Sequence, residues 1–230
     1  MPALPPGLHR RQANGREGIL WNRGVTYSLT LPTHVIIPIL QALKNALSRG
    51  LRLPLVYNTS AYESYETIAQ LSGIVDIYLP DFKYFNRDTA RRFSSAPDYP
   101  ERASEALKEM YAQVGNLEVD GEGNALKGMI IRHLILPDRT EESCSILEWI
   151  AADLSNQVPV SLMSQFYPPT TVPDEINRGI TKDEYESVVA KAEEIGLKNL
   201  YLQPSIFETG DHLLPDFEKD DPFDWSNHKP

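Results

Sequence analysis

The chain has 230 residues, 41% of them hydrophobic and 23% charged, which is ordinary for a globular protein and long enough for one sizeable core. Its formal net charge of −10 argues against a nucleic-acid binder, which needs a basic face, and no apolar run approaches the ~20 residues of a membrane helix. A single cysteine, Cys144, excludes a disulfide within the chain and any metal cage built from three or four of its own thiolates.

Residues 1–23 show neither helical nor strand periodicity. They hold three prolines and four arginines against one acid, Glu17, and are expected to be irregular. They contain no apolar core of signal-peptide length, so a cytoplasmic location is the expectation. From Gly24 the pattern sharpens. "GVTYSLTL" has the composition of a strand. "HVIIPILQALKNALSRG" predicts a helix with Val35, Ile36, Ile39, Leu40, Leu43 and Leu47 on one face and Gly50 at its end. The strand "LPLVYN", a helix around Glu63 to Leu71 and the strand "IVDIYLP" follow.

After a longer connection, Pro100 opens a helix that aligns Ala103, Leu107, Met110 and Val114 and stops at Gly115. "DGEGN" is a turn with hairpin character. "GMIIRHLILP" is nearly continuous apolar sequence, as in a strand buried on both faces. "ESCSILEWIAADL" is helical and "VPVSLMSQF" a strand. "TKDEYESVVAKAEEIG" is a helix opened by a capping box, Thr181 with Glu184, and "NLYLQ" is a last strand. The acidic segment from Phe207 carries seven acids against two lysines and reads as a solvated tail. The expected organisation is therefore an irregular segment 1–23, one α/β domain over 24–206, and a tail over 207–230.

Strands alternating with helices imply parallel pairing and right-handed crossovers, so a parallel, open β/α barrel is expected. In such folds sites form at the carboxyl ends of the strands. That rule selects "LPTH" (Leu31 to His34), "YNTS" (Tyr57 to Ser60), "PDFKY" (Pro80 to Tyr84), "IRHLILPD" and "MSQFYPP". Plain structural roles stand beside each. Thr33 can cap a helix, and Asn58, Thr59 and Ser60 can cap the next one or form an Asx turn. Asp81 and Lys83 share a strand face and can form an ion pair. Arg132 needs an anion, either Asp81 or a ligand carboxylate. His133, on the opposite face, fits a satisfied core histidine, and Cys144 an inert buried thiol.

The ordered blocks "LPTH", "VYNTSAYE", "IVDIYLPDFKY", "SSAPDYPE", "MIIRHLILP" and "SLMSQFYP" resemble the radical S-adenosylmethionine (radical SAM) proteins, in particular an uncharacterised bacterial branch similar to pyruvate formate-lyase activating enzyme. The resemblance spans roughly Gly24 to Gln203. It implies a partial, TIM-like (βα) barrel in which three cysteines hold a [4Fe-4S] cluster. The reduced cluster cleaves S-adenosylmethionine to methionine and a 5′-deoxyadenosyl radical, which abstracts hydrogen from a protein partner such as a glycyl radical enzyme. An electron donor is implied as well. Carried onto this sequence, the resemblance assigns cofactor contacts to Thr33 (where many members carry a Glu), Asn58, Thr59, Asp81, Lys83, Arg132 and Gln165.

The family's Cys-x3-Cys-x2-Cys motif does not occur in this sequence. The expectation is thus a truncated chain that lacks the barrel's first βα unit and is inactive by itself, with "GVTYSLTL" as an edge strand. Three alternatives accompany it. One is a non-redox remnant that binds S-adenosylmethionine or a protein. Another is a chain that works with a separate polypeptide carrying the cysteines. The last is a barrel lyase or aldolase with Lys83 as its Schiff-base amine and Asp81 as acid/base partner.

Overall fold

A computed structural model describes residues 9–12, 27–30, 36–168 and 172–203. In chain order the elements are β1 (His9–Gln12), β2 (Tyr27–Thr30), α1 (Ile36–Ser48), β3 (Leu55–Thr59), α2 (Tyr65–Ala69), β4 (Ile77–Pro80), α3 (Arg87–Ser94), α4 (Tyr99–Val114), β5 (Glu118–Val119), β6 (Ala125–Met129), β7 (Ile131–Leu134), α5 (Thr140–Trp149) running into a π turn (Ile150–Leu154), β8 (Val160–Met163), a 3-10 turn (Asp174–Ile176), α6 (Lys182–Glu194) and β9 (Asn199–Leu202). None of the helices described is long and apolar enough to cross a membrane.

The strands form two sheets, β2-β3-β4-β6-β5 and β1-β9-β8-β7. Every pairing is parallel except the β5–β6 hairpin, where Asp120 organises the "DGEGN" turn by accepting from the backbone N–H groups of Glu122 and Asn124. Among the described residues a single parallel bridge, Asp81 with Arg132, joins the sheets. The sheet is not closed: β1 and β2 are its outer strands and share no pairing among the described residues.

Three sequence expectations need correction. The segment 1–23 is not wholly irregular, because it contains β1, which runs parallel to β9 in register His9 with Asn199. A four-residue strand is too short to show a period. "GMIIRHLILP" is two strands, divided at Ile130. β6 pairs with β4 and β5, whereas β7 pairs with β8, so the chain must pass from one sheet to the other. Within β6, Gly128 admits a close backbone neighbour: its φ is +122°, and a Cβ there would lie 2.4 Å from the carbonyl oxygen of Asn116. Finally, the long connection after β4 contains α3, whose N-cap Asn86 accepts from the backbone N–H groups of Asp88 and Thr89.

The other helices follow their sequence signals. In α4, Ala103, Leu107, Met110 and Val114 are buried, with Pro100 in the first turn and Gly115 at positive φ just past the end. The Thr181–Glu184 capping box of α6 is present in both directions. In α1, Leu43 is buried but Leu47, on the same expected face, is 47% exposed.

Side-chain alternation divides the strands into two faces. Tyr57, Tyr78, Ile131, Leu162 and Leu200 point toward the helices and join the main core. Val56, Ile77, Leu79, Ile130 and Tyr201 point the other way, where with Ala125 they form a small apolar cluster. Two residues further along each strand, on that same inner face, stand Asn58, Asp81 and Arg132. The inner face thus changes from apolar to polar where the strands end.

Candidate functional site

Arg132 crosses from β7 to the end of β4. Its Nε donates to Asp81 Oδ1 at 2.7 Å, and its Nη2 donates to Asn58 Oδ1 at 2.8 Å, at the end of β3. Three strand ends are therefore fastened by one guanidinium, whose planar fork suits this double contact. The Asp81 and Arg132 side chains are 18% and 28% exposed, sheltered enough for the pair to outweigh an ordinary surface ion pair. Lys83 Nζ stands 3.7 Å from the other carboxylate oxygen, Asp81 Oδ2, and is 43% exposed. That separation is an ion pair without a hydrogen bond. The lysine ammonium is consequently held less firmly than the guanidinium.

Beneath this surface lies a second tier that sequence reasoning missed. The hydroxyl of Tyr99, in the first turn of α4, accepts from Lys83 N–H at 2.9 Å. It lies 2.9 Å from the carbonyl oxygen of Asp81 and 3.0 Å from that of Ser60, either of which its proton can reach. Its ring packs edge-on against Tyr84, and burial pushes its phenol upward from the usual range, so it stays protonated. Tyr99 therefore pins the chain after β3 to the chain after β4. The signal was available, since Tyr99 lies within the block "SSAPDYPE", but a tyrosine two residues after a proline in a connection gives no local hint of its partners.

The second missed residue is Glu63. Its Oε1 accepts from Thr59 Oγ1 at 2.7 Å, while the same Thr59 oxygen accepts from Ala61 N–H at 3.2 Å. Ala61 has φ +60°, a left-handed conformation that costs a non-glycine residue about 1 kcal/mol. The Thr59–Glu63 contact holds that strained turn.

The expected site residues therefore separate. Asn58, Asp81, Lys83 and Arg132 come together. Thr59 does not, being 1% exposed on the helix-facing side with its hydroxyl committed to the turn. Gln165 shares the inner-face parity of Met163, yet it is exposed and its nearest polar contact is the Met163 sulfur at 3.9 Å. Thr33 lies outside the described residues.

His133 meets its structural expectation. Its Nδ1 faces the carbonyl oxygen of Phe82 at 2.7 Å, and a carbonyl can only accept, so Nδ1 carries the proton. Its Nε2 then accepts from the Ser143 hydroxyl at 2.8 Å. Burial lowers its pKa to about 4, so the ring is neutral near pH 7. Cys144 is only partly buried on α5, and burial pushes its thiol upward.

A concavity of about 1130 Å³, whose lining includes none of Asn58, Asp81, Lys83 and Arg132, opens between the loop carrying Phe85 and Asn86 and the start of α5. Glu142 spans it, accepting from the backbone N–H groups of Phe85 and Asn86 at 2.8 Å each. Arg178 binds both Asp138 and Glu184 at its edge.

No family model matches the chain. Over 174 residues it is 30% identical to uncharacterized protein MJ0674 of Methanocaldococcus jannaschii. The match takes in 74% of this chain but 46% of that protein, so the chain spans about half the length of this relative. Among solved structures, it is similar in fold to a domain of pyruvate-formate lyase-activating enzyme from Bacteroides vulgatus. The TM-score is 0.54 at 11% identity, covering 78% of this chain and 99% of that domain.

Proposed function

We propose that this chain forms the S-adenosylmethionine-binding part of a radical SAM protein of the activating-enzyme type, with the methionyl end of the cofactor received by Asp81 and Lys83. One observation carries the reading. An acid and a base share one face of one strand end, 3.7 Å apart, in a fold similar to a domain of pyruvate-formate lyase-activating enzyme. A methionyl group is a zwitterion whose ammonium and carboxylate match that pair in opposite senses.

Within this reading each residue has a distinct task. Asp81 Oδ1 is occupied by Arg132, which leaves Oδ2 to accept an incoming ammonium. Lys83 lies beside Oδ2 without a hydrogen bond to it, so its half-exposed side chain can turn toward the carboxylate. Asn58 and Arg132 fix the orientation of Asp81. Tyr99 fixes the backbone of Asp81 and Lys83. When bound, S-adenosylmethionine supplies a sulfonium centre whose carbon–sulfur bonds are activated for cleavage.

The residues of this chain do not fit a [4Fe-4S] cluster. Three thiolates are required, and the sequence has Cys144 alone, with its thiolate disfavoured by burial. Among the described residues no group of three histidines, cysteines or acids is placed to hold a metal ion. No step is therefore assigned to a cluster held by these residues. A protein substrate and a separate electron donor belong to this proposal through the resemblance alone. A lyase using Lys83 is the weaker reading, because that lysine stands half-exposed beside a carboxylate and not in the apolar pocket that activates a Schiff-base amine.

Titration calorimetry of the chain with S-adenosylmethionine tests the proposal. Saturable binding that methionine competes for, and that Asp81→Asn weakens at least tenfold, supports it. An absence of heat up to millimolar cofactor, with the protein shown folded by circular dichroism, overturns it.

A further inference from the structure

The backbone between β4 and α3 is held from several sides. Asp81 N–H donates to the carbonyl oxygen of Thr59 and Phe82 N–H to that of Arg132, each at 2.9 Å. The carbonyl oxygen of Phe82 accepts from His133, and Lys83 N–H donates to the Tyr99 hydroxyl. Beyond Lys83 the next backbone donors held are the N–H groups of Phe85 and Asn86. One oxygen, Glu142 Oε1, takes both at 2.8 Å. Phe82 and Tyr84 are buried, whereas Lys83 and Phe85 are exposed. Lys83 thus stands on a fixed stretch of chain, tethered before it by β7 and Tyr99 and after it by α5.

The second tether has a recognisable form. Asn86 is the N-cap of α3, and its side chain accepts from the N–H groups of Asp88 and Thr89. A capping box is completed by a Glu or Gln at the third helical position, which reaches back to the N–H of the N-cap. In α3 that position holds Thr89, so the helix cannot complete the box by itself. Glu142 takes the task from another helix, 56 positions away in sequence. Its charge places both bonds in the stronger, charge-assisted class. The next residue of α5, Ser143, donates to His133, which in turn donates to the Phe82 carbonyl. Two adjacent residues of α5 therefore grip the loop on both sides of Lys83.

We infer that Glu142 is a positioning residue for Lys83: by completing the cap of α3 from outside, it fixes the exit of the loop and keeps the lysine ammonium beside Asp81 Oδ2. Lys83 has no hydrogen bond to that carboxylate, so the course of its backbone decides where the ammonium stands. The consequence for binding rests on the reading of Asp81 and Lys83 as the methionyl site. A lysine held in place distinguishes a carboxylate from a neutral amide more sharply than a lysine set loose.

The full chain with its lysines reductively methylated with a 13C label tests the inference without any ligand. Each dimethyl-lysine keeps its charge and gives its own methyl cross-peak, and Lys83→Arg identifies that of Lys83. Glu142→Ala is expected to shift the Lys83 cross-peak toward that of a freely solvated lysine. Glu142→Asp, which withdraws the carboxylate by one methylene, is expected to do the same and serves alone where the alanine variant does not fold. The cross-peak of Lys108, bound to Asp153 elsewhere, should stay in place. Glu142→Gln retains an oxygen that can accept from both N–H groups and should give the wild-type Lys83 signal. A Lys83 cross-peak that stays in place in these variants, or that moves only together with Lys108, overturns the inference. In competition against S-adenosylmethionine, the preference for methionine over methioninamide should fall severalfold in Glu142→Ala and Glu142→Asp and survive in Glu142→Gln. An unchanged preference in variants that still bind the cofactor overturns the inference too. A wild-type chain that does not bind the cofactor removes the functional reading instead, and the Lys83 signal then decides on Glu142 by itself.

Discussion

Arg132 on β7 and Asp81 at the end of β4 form the only strand-to-strand bridge between the two described sheets and, at 2.7 Å, the central ion pair of the rim. One contact therefore serves both the architecture and the site. Asp81→Ala is expected to lower stability by about 2 kcal/mol, below the ~3–5 kcal/mol of a fully buried pair because both side chains keep some solvent access. The double variant Asp81→Asn with Arg132→Met should recover part of that loss in urea denaturation without restoring cofactor binding. Recovery of binding would show that the pair is structural alone.

Tyr99 offers a cleaner separation of positioning from folding. Tyr99→Phe keeps the buried ring and removes only the hydroxyl that links Lys83, Asp81 and Ser60. The expected cost is about 1–2 kcal/mol, for a buried N–H and carbonyls left without their partner. S-adenosylmethionine affinity should fall severalfold while the thermal transition remains cooperative. Unchanged affinity would mean that the pin does not shape the site.

The pH dependence of stability has two separable limbs. His133 has a folded pKa of about 4 against 6.5 unfolded, so between these values the unfolded chain binds more protons. Stability should fall as pH drops through that window, by about 3 kcal/mol in all, and be flat above it. Glu184 is held down to about 2, first by its hydrogen bonds from Arg178, so its contribution persists above its unfolded 4.5 and fades only between 4.5 and 2. In His133→Asn the limb between pH 6.5 and 4.5 should flatten while the lower limb stays. An unaltered upper limb would assign that limb to another group.

Gly128 is the position least tolerant of a methyl group. Besides its positive φ, an added Cβ would meet Asn116 O at 2.4 Å and Leu117 Cα at 2.5 Å, both backbone atoms that cannot rotate away. Gly128→Ala is expected to cost about 3 kcal/mol by strain and overpacking. Gly121→Ala, where the added Cβ meets nothing within 4 Å, is the matched control and should change stability by no more than about 1 kcal/mol. Equal transition midpoints for the two variants would contradict the close approach at β6.

Local chemistry made much of this molecule legible in advance. The capping box of α6, the proline-opened and glycine-terminated α4, and the alternation of strand and helix each depend on neighbours in sequence, so the parallel α/β architecture follows from them. Period two also placed Asp81 and Lys83 on one face. What the sequence left open depends on distant partners. Arg132 required an anion, but only the crossing of β7 beside β4 chose Asp81 and Asn58, residues 51 and 74 positions away. Asn58 and Thr59 are adjacent in sequence and equally polar, yet the pleat sends one to the rim and the other into the Glu63 turn. Tyr99 and Glu63 carried no local signature because their role lies wholly in the segments they join. The division of "GMIIRHLILP" between two sheets was likewise decided by which strands lie alongside it, a property of packing that no single stretch of residues contains.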